Sequence, residues 1–370
     1  MPPAPISTHY WLDRVDAQLS GTTVADLDRA TLADLAAPSP TPPGTPDTDG
    51  PGPEIGAYVE RGTNAEINAS ARAELAAGAR ALLFRLYRQP GVADMETMLN
   101  AVPLDQVSVH CSLRYPGQDP AELFRDLVRY LRRQDYDLRS VTGSVDFDPL
   151  LDWSEPPYPP LIRLLYFVGR WMPGFRVLQV NAAGFNNGPE VADLELGVAI
   201  AKGLAYLQQI GQRGYPAPLA LRHLQFALSL GNSGLVDAAK LRALRNLWPR
   251  ALATIGIDQP GRTRIAAHSD TESLLADPAA NQALLLAHAR SARHGGADQL
   301  FLAPSRGRGE RSTPEGRAAT HRAYAQLRRE PATSPREPVI DAIRRELETA
   351  AWARFTEIQG QGGFLEATSF

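Results

Sequence analysis

At 370 residues, 44% hydrophobic and 21% charged, the chain has the size and balance of one barrel-sized globular core with appendages. A net charge of −3 offers nothing to nucleic acid, and the single cysteine, Cys111, excludes a disulfide framework or multi-cysteine metal site. No apolar run reaches the ~18 residues of a membrane span and the N-terminus lacks a basic-then-apolar leader, so a cytoplasmic protein with no membrane partner is expected.

Residues 1–36 read as a helical arm, with Trp11, Val15 and Leu19 on one face and Val24, Leu27 and Leu32 following. Residues 37–53, APSPTPPGTPDTDGPGP, form a Pro/Gly-rich linker that cannot build regular structure. From residue 54 to 370, extended and helical runs alternate. The extended runs are Ile55–Val59, Ala79–Leu86, Gln106–Leu113, Asp137–Val145, Phe175–Asn181, Leu221–Leu230, Arg262–His268 and Gln299–Ala303. Helical patterns separate them, and a long apolar stripe closes the chain from Ile340 to Ile358. Eight strands alternating with helices predict an α/β fold, a (β/α)8 TIM barrel behind an N-terminal helical arm.

Several strands alternate in an unusual way. Ser108, His110 and Ser112 share one face against Val107, Val109 and Cys111. Ser140, Thr142 and Ser144 share a face, and so do His223, Gln225, Ala227 and Ser229; Gln179 and Asn181 repeat the theme. The helix-facing side of a barrel strand must be apolar, so the small polar set is left pointing at the axis. Such an axis suits ordered water or an elongated polar ligand. An open antiparallel sheet with one wet face would alternate similarly, but the helical spacers argue against it.

Other chemistry finds little support. His110 and His268 are the available acid–base pair, although satisfied barrel histidines fit them as well. Cys111 sits on the apolar face and reads as inert core. His288 and His294 lack metal-ligand spacing, and no Gly-x-Ser-x-Gly supports a nucleophile. Arg306, Arg308, Arg311 and Arg317 follow the last strand, where barrels often bind phosphate, but a solvated loop is the simpler reading. Asp237, Lys240, Arg242 and Arg245 read as a solvated helix face with local ion pairs. Only two of the 38 basic residues are lysines, Lys202 and Lys240, which reads as codon bias.

Three blocks together resemble the methylmalonyl-CoA mutase family, particularly its small subunits. They are VNAAGFNNGPEVADLELGVAIAKGLAYL (180–207), VDAAKLRALRNLW (236–248), and the run from His268 through DPAAN (277–281) to GGADQL (295–300). GSVDFDPL (143–150) and AWARFTEIQGQGGF (351–364) add weaker support. The resemblance covers about 54–364 and extends to the arm. It implies an acyl-CoA-binding TIM barrel with the ester along the axis, and a radical rearrangement of methylmalonyl-CoA to succinyl-CoA that uses adenosylcobalamin.

The departures from the family pattern shape the expected function. Ala183 and Gly184 stand where active members have a Tyr-His pair over the cobalamin. Asp146 replaces a Gln and would repel an anionic acyl group; Leu284 replaces an Arg. His268 does fall on a family pocket histidine. No histidine lies in Asp-x-His-x-x-Gly, and the chain stops at Phe370, so no C-terminal cobalamin-binding domain and no cofactor held by this chain alone are expected. The resemblance implies a vestigial pocket or acyl-CoA channel at Ser108, His110, Thr142, Asp146, Asn181, Ala183, Gly184, Asn187, Gln225 and His268. The expected role is a non-catalytic partner in a heterodimer with a catalytic large mutase subunit, the holoenzyme carrying adenosylcobalamin. An active split mutase with its cobalamin domain on another chain, and a stand-alone acyl-CoA-binding protein, remain the alternatives.

Overall fold

The structure is a computed structural model. It describes residues 10–36, 52–59, 61–113, 120–148, 150, 158–182, 188–258, 260–306, 311–330, 334 and 336–367. Most of the linker, and Ala183, Gly184 and Asn187 in the loop after Asn181, therefore lie outside the described residues.

Two arm helices, α1 (Tyr10–Gln18) and α2 (Val24–Ala36), precede the barrel. The barrel then alternates β1 (Glu54–Val59), α3 (Asn64–Ala76), β2 (Ala81–Leu86), α4 (Val92–Met98), β3 (Ser108–Leu113), α5 (Pro120–Arg133) and β4 (Gly143–Asp146). It continues with α6 (Tyr158–Trp171), β5 (Phe175–Arg176), β6 (Leu178–Asn181), α7 (Ala192–Gln212), α8 (Ala217–Leu221), β7 (Leu224–Leu230) and α9 (Gly234–Ala253). The last elements are β8 (Ile265–Ser269), α10 (Gln282–His294), β9 (Gln299–Phe301), α11 (Pro314–Leu327) and α12 (Glu337–Gly360).

All strand pairs are parallel, in the order β5-β4-β3-β2-β1-β9-β8-β7-β6. This is the expected barrel, with one predicted strand divided. The Val177 and Leu178 amides both donate to the His223 carbonyl, at 3.1 and 3.2 Å. That two-against-one arrangement is a bulge, and it splits Phe175–Asn181 into β5, which pairs with β4, and β6, which pairs with β7. The Gln179 amide donates to the Phe147 carbonyl at 3.0 Å across the remaining gap.

Several predicted strands begin later than expected, two of them because a turn or a short helix takes their first residues. Residues 137–140 form a turn closed by the Ser140 amide on the Asp137 carbonyl (3.0 Å), so only Gly143–Asp146 is strand. Residues 217–221 are a short helix entered through Pro216, whose fixed φ suits a helix start, so β7 begins at Leu224. His223 consequently leaves the inward face. Its Nδ1 meets the Phe175 carbonyl at 2.7 Å, and its ring lies beside Gly169 of α6.

The main core lies between the outer face of the strands and the helices. Phe226, Leu228 and Leu230 are fully buried there, and Cys111 joins them, burial pushing its thiol up to about 12. The α12 stripe, from Ile340 through Leu347 to Ile358, is buried against α7 and α9. Trp11 and Val15 anchor α1, with Trp11 Nε1 donating to the Glu190 carbonyl at 3.0 Å. Asp28 of α2 accepts from Ser233 Oγ and from the Leu235 amide (3.2 Å), so the arm caps the N-terminus of α9.

The expectation of a solvated α9 face is corrected. Asp237 and Lys240 are buried, and Lys240 Nζ meets Glu195 Oε2 at 2.9 Å, Asp237 Oδ1 at 3.2 Å and the Ser229 carbonyl at 2.8 Å. Arg242 and Arg245 are part-buried and cap the His294 and Gly296 carbonyls. The cause is position: α9 packs against α7, α10 and α12 as well as β7, leaving it little free surface. The other lysine, Lys202 of α7, is equally buried and binds Asp148, which also accepts from Tyr206 and from the Asn181 amide (2.9 Å). Burial alone would depress the Lys240 ammonium, but the two carboxylates overcome it and hold Lys240 above its usual range. Removing that cation leaves two buried carboxylates facing each other. Lys240→Met should lower unfolding stability by about 3–5 kcal/mol in a urea titration, far more than an exposed-arginine change.

Candidate functional site

The register places one set of side chains on the axis. They come from Glu54, Gly56 and Tyr58 of β1, Ala81, Leu83 and Arg85 of β2, and Ser108, His110 and Ser112 of β3. Ser144 and Asp146, Gln179 and Asn181, Gln225, Ala227 and Ser229, His268 and Phe301 complete the ring. The predicted inward polar face is present on β3, β4, β6 and β7. The β1–β2–β9 side differs, because Ala81, Leu83 and Phe301 form a small apolar cluster inside the barrel against Tyr58.

These polar groups satisfy one another. Toward the N-terminal end, Ser108 Oγ donates to Glu54 Oε1 (2.9 Å) and Gln299 Nε2 to Glu54 Oε2 (2.7 Å). Gln299 Nε2 also lies 3.0 Å from His110 Nε2, and His110 Nδ1 lies 2.7 Å from Ser144 Oγ. An amide donor at Nε2 makes that nitrogen the acceptor, so the proton of a neutral His110 sits on Nδ1. Burial, with the nearby His268 second, pushes the His110 imidazole down to about 3. A second chain runs above the first. Ser112 Oγ donates to Asp146 Oδ2 (2.8 Å), Gln179 Nε2 to Asp146 Oδ1 (2.7 Å), and Gln225 Nε2 to Gln179 Oε1 (2.6 Å).

Phe301 lies across the middle. Its ring stacks on His268 with centroids 5.0 Å apart and meets His110 edge-on at 5.5 Å. A Cβ on Gly56 would sit 2.3 Å from the Phe301 ring, so the glycine is what admits that ring to the axis. Tyr58 OH is 3.0 Å from His268 Nδ1, and the Arg85 guanidinium stacks over Tyr58 at 4.3 Å. Above Phe301 a cavity of ≈210 Å³ opens toward the C-terminal ends of the strands.

Five of the ten predicted site residues line this cavity: His110, Asp146, Asn181, Gln225 and His268. Ser108 points inward but lies in the lower network, off the cavity. Thr142 does not belong to the site: it precedes β4, is exposed, and its methyl approaches Gly174. Ala183, Gly184 and Asn187 fall outside the described residues. The sequence reading missed Glu54, Gln299, Tyr58, Arg85 and Phe301. The Gln299/Phe301 alternation could have shown two of them; Glu54 lay outside the predicted strand by one residue.

A parallel (β/α) barrel whose axis is lined by small polar side chains is the class that fold and site define. The methylmalonyl-CoA mutase family model matches residues 90–369, and the chain belongs to that family. It is 27% identical to a probable methylmalonyl-CoA mutase small subunit of Mycobacterium tuberculosis, covering 85% of this chain and 53% of that protein. A methylmalonyl-CoA mutase small subunit of Streptomyces virginiae is 26% identical, covering 75% and 46%. A methylmalonyl-CoA mutase large subunit of Porphyromonas gingivalis is 22% identical, covering 74% and 40%. The chain thus spans about half the length of the relatives it matches.

The His110 environment sets a pH dependence. Its folded value lies below the ordinary 6.5, so the unfolded chain binds this proton more readily. The stability contributed is complete above about pH 6.5 and is lost as pH falls toward 3. His110→Gln keeps a neutral hydrogen-bonding group, so its stability should fall less between pH 7 and pH 4 than that of the parent, by roughly 1–3 kcal/mol at pH 4. Denaturant titrations at both pH values measure this.

Proposed function

We propose that this chain is a small-subunit-like, non-catalytic partner that pairs with, and stabilises, a catalytic adenosylcobalamin-dependent acyl-CoA mutase chain. The observation that carries this reading is the axis itself. Asp146 is held by Ser112 and Gln179, His110 by Gln299 and Ser144, and both groups are occupied by the protein's own side chains. A carboxylate fixed at Asp146 opposes an anionic acyl group, and a histidine held neutral to about pH 3 is a poor acid at neutral pH. The small-subunit names of the relatives support the pairing, and a large-subunit relative indicates the kind of partner.

The described histidines are not placed to serve as a cobalt ligand for a bound cobalamin. His110, His223 and His288 are buried in hydrogen bonds, His268 stacks on Phe301 with Nδ1 on Tyr58, His321 pairs with Glu74 on the helical surface, and His294 ends α10 and does not line the axial cavity. No reaction step is therefore assigned to the cofactor on this chain. One observation favours a second reading, the active split mutase: His268, at the family's pocket-histidine position, does line the cavity.

Co-expression with a methylmalonyl-CoA mutase large subunit tests the proposal. The expected result is a heterodimer on gel filtration whose turnover of methylmalonyl-CoA is unchanged by His268→Gln in this chain. A chain that stays monomeric beside the large subunit counts against the pairing. Turnover that collapses with His268→Gln supports the split mutase instead.

A further inference from the structure

A second cavity, of ≈510 Å³, lies beside the axial one at the C-terminal ends of β1 and β2. The two share Arg85 and Tyr87. Its walls carry four arginines: Arg61, Arg85, Arg88 and Arg311. Arg88 is neutralised, because it grips Asp94 through two nitrogens at 2.8 and 2.9 Å. The other three have no hydrogen bond or ion pair among the described residues. Glu66, the acid that bears on Arg311, is already engaged by the Thr63 amide (2.7 Å) and hydroxyl (2.9 Å).

Two of these guanidiniums lie over aromatic rings. Arg85 lies over Tyr58 at 4.3 Å and Arg61 over Tyr87 at 5.6 Å. Stacking occupies the face of a guanidinium and leaves its in-plane N–H groups available. The result is two cations resting over rings and a third cation around one cavity, with the N-terminus of α3 at its rim. A carboxylate has two oxygens and one charge, enough for a single fork. A phosphoryl group or pyrophosphate has the oxygens and charge to engage several at once. The volume is in the range of small-molecule sites.

We propose that this cavity binds the phosphate end of a small phosphorylated ligand, with the rest of the ligand reaching over the mouth of the axial cavity. The site is independent of any pairing with a large subunit.

Calorimetric titration of the full chain with inorganic pyrophosphate tests this, with malonate as the carboxylate probe. Pyrophosphate should bind, malonate at least tenfold more weakly, and raised salt should weaken both. The double variant Arg61→Gln with Arg85→Gln should lose at least tenfold in pyrophosphate affinity. Arg61→Gln with Arg311→Gln, which leaves the Arg85–Tyr58 stack in place, should lose a similar amount. Arg139→Gln, an exposed change before β4 at the opposite end of the barrel, should leave affinity unchanged, and thermal melts should show all variants folded. No pyrophosphate heat with the parent chain, equal affinity in the double variants, or malonate binding as tightly as pyrophosphate would each overturn the proposal.

Discussion

A polar side chain sealed inside a barrel must find a partner, and each buried group left without one costs about 1–3 kcal/mol. That constraint organises this molecule. Its strands carry Ser, His, Gln and Asp on the axial face, so the axis cannot close as a hydrocarbon plug. It closes as two hydrogen-bonded chains, one through Glu54, Gln299, His110 and Ser144, the other through Ser112, Asp146, Gln179 and Gln225. The first chain ties together strands that are not neighbours, β9 to β3 through Gln299 and His110, and the second runs around the wall from β3 through β4 and β6 to β7. The polar lining therefore braces the barrel across its width as well as along its ladders.

The same constraint explains the two lysines. A bias toward arginine accounts for the surface, where either cation serves. It does not account for Lys202 and Lys240, both sealed from solvent. Lys240 meets three acceptors, from Glu195, Asp237 and Ser229, with the three donors of an ammonium. A planar guanidinium would present more donors in a fixed fork to a site shaped for a compact point charge. These ion pairs sit at Asp148, just after β4, and beside Gly231, just after β7. Asp148, bound by Lys202, also receives the Asn181 amide, and Asp237 receives the Gly231 amide at 2.7 Å. The end of β6 and the first residue after β7 are thus held by buried charge.

What could be read from the sequence follows the range of each interaction. Face parity is local: alternation within Gln106–Leu113 suffices to aim Ser108, His110 and Ser112 inward, and they do point there. The α12 stripe is equally local. Partner identity is not. Gln299 and His110 are 189 positions apart and meet only because the ring closes through β9 and β1. The bulge at Val177 depends on the His223 carbonyl, and the exposure of Thr142 depends on a turn that ends before β4 starts. The α9 error has the same origin. Asp237 and Lys240, three apart, look like a solvated pair until Glu195 of a different helix is packed against them.

The axis is uneven from end to end, and that bears on what the scaffold can accept. Glu54, Ser108 and Gln299 fill its N-terminal level, and Phe301, admitted by Gly56, crosses the next. Above them the ring widens into the cavity bounded by Tyr58, Asp146, Gln225 and His268. A ligand that threads the whole axis would have to displace an aromatic ring and break hydrogen bonds already made. A ligand arriving at the C-terminal mouth meets neither obstacle, and it meets Arg85 first. Charge reinforces the difference: the lower axis holds Glu54 and a neutral His110, while the rim toward Arg61 and Arg311 is cationic. Selection against anions inside and for them at the edge follows from where these few charges are placed, with the barrel backbone common to both.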